Sequence, residues 1–279
     1  MKICKTVKEM RAACRAERRG SRRLGFVPTM GALHEGHLSL VQAGRASCDI
    51  VAASIFVNPT QFGPGEDLAK YPRSFERDRE LLKEQGVALL FAPSVEEMYP
   101  AGAGTWVDVE GLSEKLDGQS RPGHFRGVAT VVAKLFHVVE PDAAFFGQKD
   151  AAQIAVIRRM VRDLNFPVEI VACPIVRETD GLAMSSRNAY LDLEQRKQAP
   201  VLYRSLMCVK SMWNAGERSA EKLKGAGREE IAREKSVRPD YLEIVDPENL
   251  EAVEDVGSGT LVAVAAFVGA TRLIDNILI

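Results

Sequence analysis

Between residues 24 and 171, short apolar runs alternate with longer amphipathic segments, and this alternation constrains the fold more than any other feature. The apolar runs lie at 24–27, 49–57, 88–91, 142–146 and 168–171, with a weaker one at 106–109. The run at 49–57 is nearly continuous, as expected for a parallel strand covered on both faces. Apolar residues at helical spacing predict helices from His37 onward and over 74–84, 124–139 and 151–164. This order of elements predicts an α/β fold with a doubly wound parallel sheet.

The pattern changes after residue 176. Residues 177–190 show neither the apolar run of a buried strand nor the apolar spacing of a helix. Residues 192–235 are rich in predicted helix. Three apolar segments then follow, at 241–245, 260–267 and 271–277, joined by turn signals. We therefore predict a first domain over 1–176 and a smaller α+β domain over 177–279, with a small antiparallel sheet and helices on one of its faces.

Composition excludes several kinds of partner. The formal net charge is -1 with no basic run, which argues against nucleic acid. No segment has the length and apolarity of a signal peptide or a membrane span, so we expect no membrane partner. The 5 cysteines are scattered and odd in number. That usage is typical of reduced thiols, and we expect a cytoplasmic protein.

The stretch from 24 to 40 combines a strand, a turn and a helix start. Pro28 lacks a ladder donor, so we expect it to end the strand. Gly31 and Gly36 permit a tight turn and a close approach of backbone to a ligand. The helix that begins near His37 then points its free amides and positive dipole end at the turn, which makes an anion site.

His34 and His37 lie three residues apart at this helix end. Each histidine alone is most simply a local cap or a packed ring. Such a pair also suits a metal ion, although no third ligand stands at familiar spacing. A third interpretation is a His-x-Gly-His turn that holds nucleotide phosphates. The pair by itself does not decide between these interpretations.

Four segments together carry a resemblance to a known family. They are Pro28-Thr-Met-Gly-Ala-Leu-His-Glu-Gly-His-Leu-Ser-Leu, Phe56-Val-Asn-Pro-Thr-Gln-Phe-Gly, Phe145-Phe-Gly-Gln-Lys-Asp and Gly181-Leu-Ala-Met-Ser-Ser-Arg-Asn. In their order and spacing the chain resembles the pantoate–β-alanine ligases, or pantothenate synthetases, of the His-x-Gly-His nucleotidyltransferase superfamily. The likeness runs from the N-terminus to Thr271-Arg-Leu-Ile-Asp-Asn.

The resemblance implies a Rossmann-like first domain and an ATP-dependent ligase. In this family the carboxylate of (R)-pantoate attacks the α-phosphorus of ATP, giving pantoyl adenylate and pyrophosphate. The amine of β-alanine then attacks the acyl carbon and releases AMP. The resemblance also implies Mg²⁺ with the ATP and a cytoplasmic homodimer.

The resemblance assigns roles to particular residues. His37, His34 and Lys149 are the expected catalytic residues, with His37 as a proton donor or a phosphate hydrogen-bond donor. The expected ATP-binding residues are Met30, Gly31, Ala32, Leu33, His34, Glu35, Gly36, His37, Gly147, Gln148, Lys149, Asp150, Val176, Met184, Ser185, Ser186 and Arg187. The expected substrate residues are Gln61 and Gln153, supported by Asn58, Tyr71, Arg121 and His124.

Three further expectations concern the surroundings of the site. Asp78 is a weak candidate for the metal environment, and Phe56 and Phe62 for an apolar wall against the gem-dimethyl group of pantoate. Residues 63–68, Gly-Pro-Gly-Glu-Asp-Leu, have the composition of a mobile flap that orders over the site when nucleotide binds. The C-terminal domain is expected to close over ATP and exclude water from the acyl adenylate.

Other enzyme classes are weighed against this one. An adenylyltransferase of the same superfamily, which keeps AMP on its product, shares the first segment but not the paired Gln61 and Gln153. The chain contains no Gly-x-Gly-x-x-Gly motif, which would favour an oxidoreductase. It also contains no Gly-x₄-Gly-Lys-[Ser/Thr] motif, which would favour a P-loop enzyme. A non-catalytic scaffold would tolerate loss of His34, His37 or Lys149, yet all three are present.

Overall fold

The computed structural model describes all 279 residues, and its larger part is built on a parallel sheet. Six strands run in the spatial order β1-β4-β3-β2-β5-β6, and every neighbouring pair is parallel. They are β1 (Lys2–Cys4), β2 (Leu24–Thr29), β3 (Ile50–Ile55), β4 (Leu89–Phe91), β5 (Ala143–Gly147) and β6 (Glu169–Cys173). The predicted doubly wound α/β sheet is confirmed.

Helices cover both faces of this sheet. Those of the larger part are α1 (Val7–Glu17), α2 (Glu35–Ser47), α3 (Phe75–Glu84), α4 (Val95–Met98), α5 (Asp117–Ser120), α6 (His124–Val139) and α7 (Ala151–Asp163). Helices α1, α6 and α7 contribute to the largest apolar core, on one face. Helices α2 and α3 contribute to a smaller core with the other faces of the same strands. Burial on both faces explains the continuous apolar run at 49–57.

Two local predictions are wrong, and several elements were not predicted. Residues 106–109 form no strand. Pro28 does not end β2, which continues to Thr29 in register with β3. The ladder from β2 to β5 stops at Phe26, so Pro28 leaves no donor missing on that side. Strand β1 and helix α1 were not predicted, because β1 has three residues and α1 buries few apolar ones among many charges.

The smaller part is an antiparallel meander backed by helices, as predicted. Its elements are α8 (Leu193–Gln198), α9 (Val201–Asn214), α10 (Ala220–Ile231), β7 (Val237–Val245), β8 (Leu261–Val268) and β9 (Thr271–Leu278). Strand β8 lies between β7 and β9. Helices α9 and α10 pack against this sheet around a separate apolar core. However, Val245 and Leu261 belong to the largest core of the first part, so the two parts share apolar surface. The boundary between 176 and 177 stays a prediction.

The topology places a crevice between two strands. From β2 the chain adds β3 and β4 on one side and β5 and β6 on the other, so the order reverses between β2 and β5. In open α/β sheets, ligands bind outside the carboxyl ends of the strands at such a point. The turn before α2 and the loop before α7 both leave from this edge. None of the ten helices has the length and apolar composition that a membrane crossing requires.

Candidate active site

The turn between β2 and α2 is held by a buried carboxylate. Gly31 has a φ of 82°, a conformation that glycine adopts at little cost. Asp78 accepts hydrogen bonds from the amides of Ala32 at 2.8 Å and Leu33 at 2.9 Å, and from the Ser74 hydroxyl at 3.1 Å. It is fully buried and does not line the cleft. These contacts give Asp78 a turn-holding function in place of the weak metal role expected from the sequence.

His34 and His37 stack at the start of α2, with ring centroids 4.2 Å apart. Nδ1 of His34 accepts the amide of Gly36 at 3.1 Å, which makes His34 the N-cap of the helix. Nδ1 of His37 accepts the amide of His34 at 3.4 Å. A neutral imidazole that accepts at Nδ1 carries its proton on Nε2. Both rings therefore present an Nε2–H donor.

Both histidines are neutral at pH 7. Burial, helped by the nearby Lys149 ammonium, lowers the pKa of His34 to about 4. Burial and the neighbouring His34 lower the pKa of His37 to about 3. These rings can donate hydrogen bonds to phosphate oxygens, but positive charge must come from elsewhere in the cleft.

Lys149 supplies one such charge from the loop after β5. Residues Gln148–Asp150 form a single 3₁₀ turn that leads into α7. The ammonium of Lys149 lies 3.5 Å from Asp150 Oδ1, and its side chain is 20% exposed. Gln153 follows on α7, and no hydrogen bond occupies its side-chain amide in the structure. The cation and a free amide thus face the same cleft.

The loop after β3 presents Gln61. Nδ2 of Asn58 donates to Gln61 Oε1 at 3.1 Å and to the carbonyl of Gly127 at 3.1 Å, while the Tyr99 hydroxyl donates to Asn58 Oδ1 at 2.9 Å. Gln61 Nε2 then donates to the Met30 sulfur at 3.1 Å. Asn58 is 1% exposed, so it orients Gln61 and offers little surface to a ligand.

Arg121 and His124 close this side of the cleft. Nδ1 of His124 lies 2.8 Å from the Gln61 carbonyl and donates to it, while Nε2 accepts from Arg121 at 3.0 Å. Burial and the Arg121 charge lower the pKa of His124 to about 4. Arg121 also holds Glu66 with a bidentate pair at 2.8 and 2.6 Å.

Arg187 holds the other end of the flap. It pairs with both oxygens of Asp67 at 3.0 Å. Burial by itself would raise the pKa of the Asp67 carboxyl, but the bonds from Arg187 outweigh burial and lower it. The pKa of Glu66 is lowered in the same way by Arg121. The flap at 63–68 is therefore tied to both sides of the cleft by its own acidic residues.

A cavity of about 230 Å³ joins these elements. Among the predicted residues it is lined by Met30, His34, Gly36, His37, Phe56, Asn58, Gln61, Phe62, Tyr71, Arg121, His124, Gly147, Lys149, Asp150, Gln153, Val176, Met184, Ser185, Ser186 and Arg187. The predicted residues outside the lining are Gly31, Ala32, Leu33, Glu35, Gln148 and Asp78. Gly31, Ala32 and Leu33 shape the turn behind the histidines.

Several contributors were not singled out from the sequence. Four apolar residues of α6 line the cavity (Val128, Val131, Val132 and Leu135), although helical spacing had assigned them only to a helix face. Gly127 lets α6 approach the Asn58–Gln61 loop, where a Cβ would collide with the Thr60 carbonyl. No pattern signal distinguishes Gly127 from other helix glycines, because its partner lies far earlier in the chain.

The arrangement can bind a polyanion beside an apolar pocket. Two neutral Nε2–H donors, the Lys149 ammonium and the Arg187 guanidinium converge at the edge where β2 and β5 end. The positive dipole end of α2 adds to this field. The Gln61 and Gln153 amides line the same cavity as the apolar residues of α6, which suits a small acid with both polar and branched apolar parts.

Comparisons with known proteins agree with this chemistry. The sequence profile of the family Pantoate-beta-alanine ligase matches residues 2–278. Pantothenate synthetase of Acidobacterium capsulatum is 61% identical over 290 residues, covering 100% of this chain and 97% of that protein. Pantothenate synthetase of Thermotoga neapolitana is 58% identical over 276 residues, covering 99% of both chains.

Two solved structures extend the agreement to the fold. Pantothenate synthetase from Thermus thermophilus matches with a TM-score of 0.94 and 54% identity, covering 99% of each chain. A pantoate-beta-alanine ligase from Francisella tularensis, complexed with beta-gamma ATP and beta-alanine, matches with a TM-score of 0.81 and 32% identity, covering 100% of this chain and 97% of that one. By sequence over its whole length, and by fold, the chain belongs to the pantoate–β-alanine ligase family.

Proposed function

We propose how this cleft carries out the activity of the family, the ATP-dependent formation of pantothenate. ATP lies with its triphosphate between the start of α2, Lys149 and Arg187. The carboxylate of (R)-pantoate attacks the α-phosphorus, forming an acyl–phosphate bond and breaking the bond to the β-phosphate. Pyrophosphate leaves, and pantoyl adenylate remains in the cleft. The amine of β-alanine then attacks the acyl carbon, loses a proton and expels AMP.

The convergence of donors and cations at the switch point carries this proposal. Negative charge develops on the phosphate oxygens as the bond to pyrophosphate breaks, and preorganised donors stabilise it. Nε2–H of His34 and His37 donate to these oxygens, while Lys149 and Arg187 offset the like charges of carboxylate and triphosphate. The complex of the Francisella ligase with beta-gamma ATP and beta-alanine supports the same ligands here.

Pantoate is proposed to lie between the paired amides. Gln61, fixed by Asn58, and Gln153 bind its hydroxyl and carboxylate oxygens without burying another charge. Phe62 and Val131 line the same cavity and suit the gem-dimethyl carbon. Arg121 and His124 hold the Gln61 backbone. Tyr71 completes the wall by packing edge-on against Phe62, with ring centroids 5.8 Å apart.

The donor set fits Mg²⁺ that arrives with ATP. No group of three or more His, Cys, Asp or Glu residues could form a metal cage by itself. Mg²⁺ commonly takes one or two carboxylates together with substrate phosphates and water, so a cage is not required. Asp150, which lines the cleft and has Lys149 as its one ion-pair partner, would contribute an oxygen. The ion would supply charge neutralisation to the phosphates.

A homodimer is also proposed. Residues 101–108 are mostly exposed and belong to no helix or strand. Trp106 is 43% exposed, with the Arg126 guanidinium 4.7 Å from its ring centroid. A second copy covering this segment would bury the indole. Sedimentation should show a dimer in the native chain and a weaker one in Trp106→Glu, whereas a native monomer would contradict the proposal. Cytoplasmic location stays a prediction.

Pyrophosphate–ATP exchange without β-alanine tests the reaction. We expect exchange that requires (R)-pantoate and Mg²⁺ and that falls at least about a hundredfold in Lys149→Ala. Lys70→Ala, which removes a lysine from the rim, is the matched control and should exchange normally. Exchange without pantoate, or none in protein that binds ATP and both substrates, would contradict the adenylate route.

A further inference from the structure

Asn276 reaches from the small sheet into the loop that carries Lys149. It lies on β9, paired with Ala263 of β8, and is 2% exposed. Its Nδ2 donates to the carbonyl of Gln148 and to the carbonyl of Lys149, each at 2.9 Å. Its Oδ1 accepts from Gln148 Nε2 at 3.2 Å. Both hydrogens on Nδ2 of Asn276 and one lone pair of its Oδ1 are thus hydrogen-bonded to the 3₁₀ turn.

The turn has few other supports. Neither Gly147 nor Asp150 provides a side-chain cap for the helical turns that follow it. The Lys149 ammonium forms one ion pair, with the Asp150 carboxylate at 3.5 Å. The direction of the lysine is therefore set by its backbone, and the backbone is fixed by the asparagine.

Asn276 is itself held from behind. Its amide donates to Asp275 Oδ1 at 2.8 Å, and Asp275 forms a bidentate pair with Arg177 at 2.6 and 3.0 Å. Asp275 is 3% exposed, and Arg177 stacks on the Tyr203 ring at 4.1 Å. A buried, fully paired network of this kind keeps a single geometry. It ends at the carbonyls of Gln148 and Lys149.

We infer that Asn276 is a positioning residue for the first half-reaction, because it aims Lys149 at the phosphates of ATP. This inference rests on the proposed role of Lys149. It gives the small sheet a direct part in forming the adenylate, besides covering the site. Since β-alanine attacks the acyl carbon after pyrophosphate has left, the second half-reaction does not need this placement.

The test compares the two half-reactions in four proteins: native, Asn276→Ala, Lys149→Ala and the double variant. In pyrophosphate–ATP exchange, Asn276→Ala should lose about tenfold to a hundredfold in kcat, as small misplacements of a reacting group do, with KM for ATP changed much less. With pantoyl adenylate and β-alanine supplied, its rate should stay within about threefold of native. In the Lys149→Ala background the same substitution should change exchange less than about twofold, because residues acting through one another are not additive.

Controls separate positioning from damage to the fold. Ile277→Ala removes packing from the next residue of β9, whose side chain packs against the small core, and should leave exchange native. Asn276→Ser keeps a donor for one carbonyl and should fall between native and Asn276→Ala. Thermal unfolding confirms that each variant is folded, and if Asn276→Ala is not, Asn276→Ser carries the comparison.

Specific results would overturn the inference. The inference is overturned if the folded Asn276 variants exchange pyrophosphate at the native rate, or if both half-reactions slow equally. It is also overturned if the effects of Asn276→Ala and Lys149→Ala on the exchange rate are fully additive. Native exchange in Lys149→Ala would instead remove the assigned role of Lys149, and the inference with it. A large loss in Lys149→Ala beside native exchange in Asn276→Ala would overturn the inference alone.

Discussion

His34 and His37 use Nδ1 for the backbone and leave Nε2–H for a ligand. The cap bond at His34 and the contact at His37 fix both tautomers. Because the pKa of His37 is lowered to about 3, the imidazole ring is neutral at pH 7. In the free site His37 is thus a hydrogen-bond donor, and we expect it to keep that function during catalysis.

This leads to a prediction for His37→Gln and His37→Ala. Removing one preorganised donor costs about a hundredfold to a thousandfold in rate, so Ala should lose that much in exchange. Gln retains an N–H donor and should recover to within about tenfold of native. Steady-state exchange at saturating ATP measures both. A Gln variant as slow as the Ala variant would show that proton transfer is required.

The buried histidines also predict acid sensitivity. Their folded pKa values, about 4, 3 and 4 for His34, His37 and His124, lie below the ordinary value near 6.5. The unfolded chain therefore binds more protons below about pH 6.5, and the free energy of unfolding must fall as pH drops through this window. Carboxyl groups titrate mainly below about pH 5, so the histidines dominate above it.

Urea unfolding at several pH values between about 5 and 7 measures this effect. We expect a steady loss of stability toward pH 5 in the native chain and a smaller slope in His124→Gln. Bound ATP should reduce the slope, since its phosphates favour the protonated rings. Stability that stays level across the window would contradict the lowered pKa values.

At the scale of elements, the flap occupies the arginines that ligands need. Asp67 accepts hydrogen bonds from Nε and Nη2 of Arg187, and Glu66 accepts them from Nε and Nη2 of Arg121. Both pairs are partly exposed, with side chains 13% to 30% accessible. A phosphate or carboxylate that binds the same edge of either arginine must compete with the carboxylate already bound there.

We therefore predict that Asp67→Asn tightens ATP binding. Partly exposed ion pairs contribute up to about 1 kcal/mol, so the Kd for ATP should fall by as much as about fivefold. Glu66→Gln is the matched control, since it frees Arg121 and should change the affinity for pantoate but not for ATP. Calorimetric titration measures both. Weaker ATP binding in Asp67→Asn would show that Arg187 keeps Asp67 as its partner in the complex.

Elements differ in how well the sequence foretells them. Strands β3 and β5 and helix α6 have long, regular apolar patterns, so their positions were predicted within a few residues. The end of β2 was predicted wrongly at Pro28, because the cost of a proline in a strand depends on how far the neighbouring strand extends. That length is a tertiary property, and a single sequence does not display it.

The whole molecule is joined by charge as well as by apolar packing. Arg272 of β9 pairs with Asp117 at 2.7 Å and with Asp240 at 2.8 Å, and the three side chains are 10% to 20% exposed. Asp117 begins α5 in the first part, whereas Asp240 and Arg272 belong to the small sheet. The arginine thus bridges the two parts of the chain near the cleft.

Arg272→Met should be strongly destabilising. Removing one member of a largely buried ion pair leaves uncompensated charges and costs about 3 kcal/mol or more. Lys197→Met removes an exposed pair with Glu194 and should cost less than about 0.5 kcal/mol. Chemical denaturation measures both free energies of unfolding. Equal, small losses in the free energy of unfolding would show that Asp117 and Asp240 form other ion pairs or become protonated.

The residues that line the cleft were predicted more fully than the residues that hold them in place. Many residues that line the cleft lie in compact segments, such as 149–150 and 184–187, which a single sequence displays directly. Their supports lie far away in the chain: Asn276 for Lys149, Gly127 for Asn58, and Asp78 for the turn at Gly31. Such pairings depend on the folded topology, and no local spacing announces them.

The distance between Lys149 and Asn276 along the chain has a consequence for synthesis. The carbonyl of Lys149 finds its partner 127 residues later. Because domains fold in the order in which the ribosome produces them, the parallel sheet and its loops can form well before β9 exists. During that interval a nascent chain lacks the strand that we infer aims its lysine. Adenylation competence is therefore expected only after β9 has been synthesised.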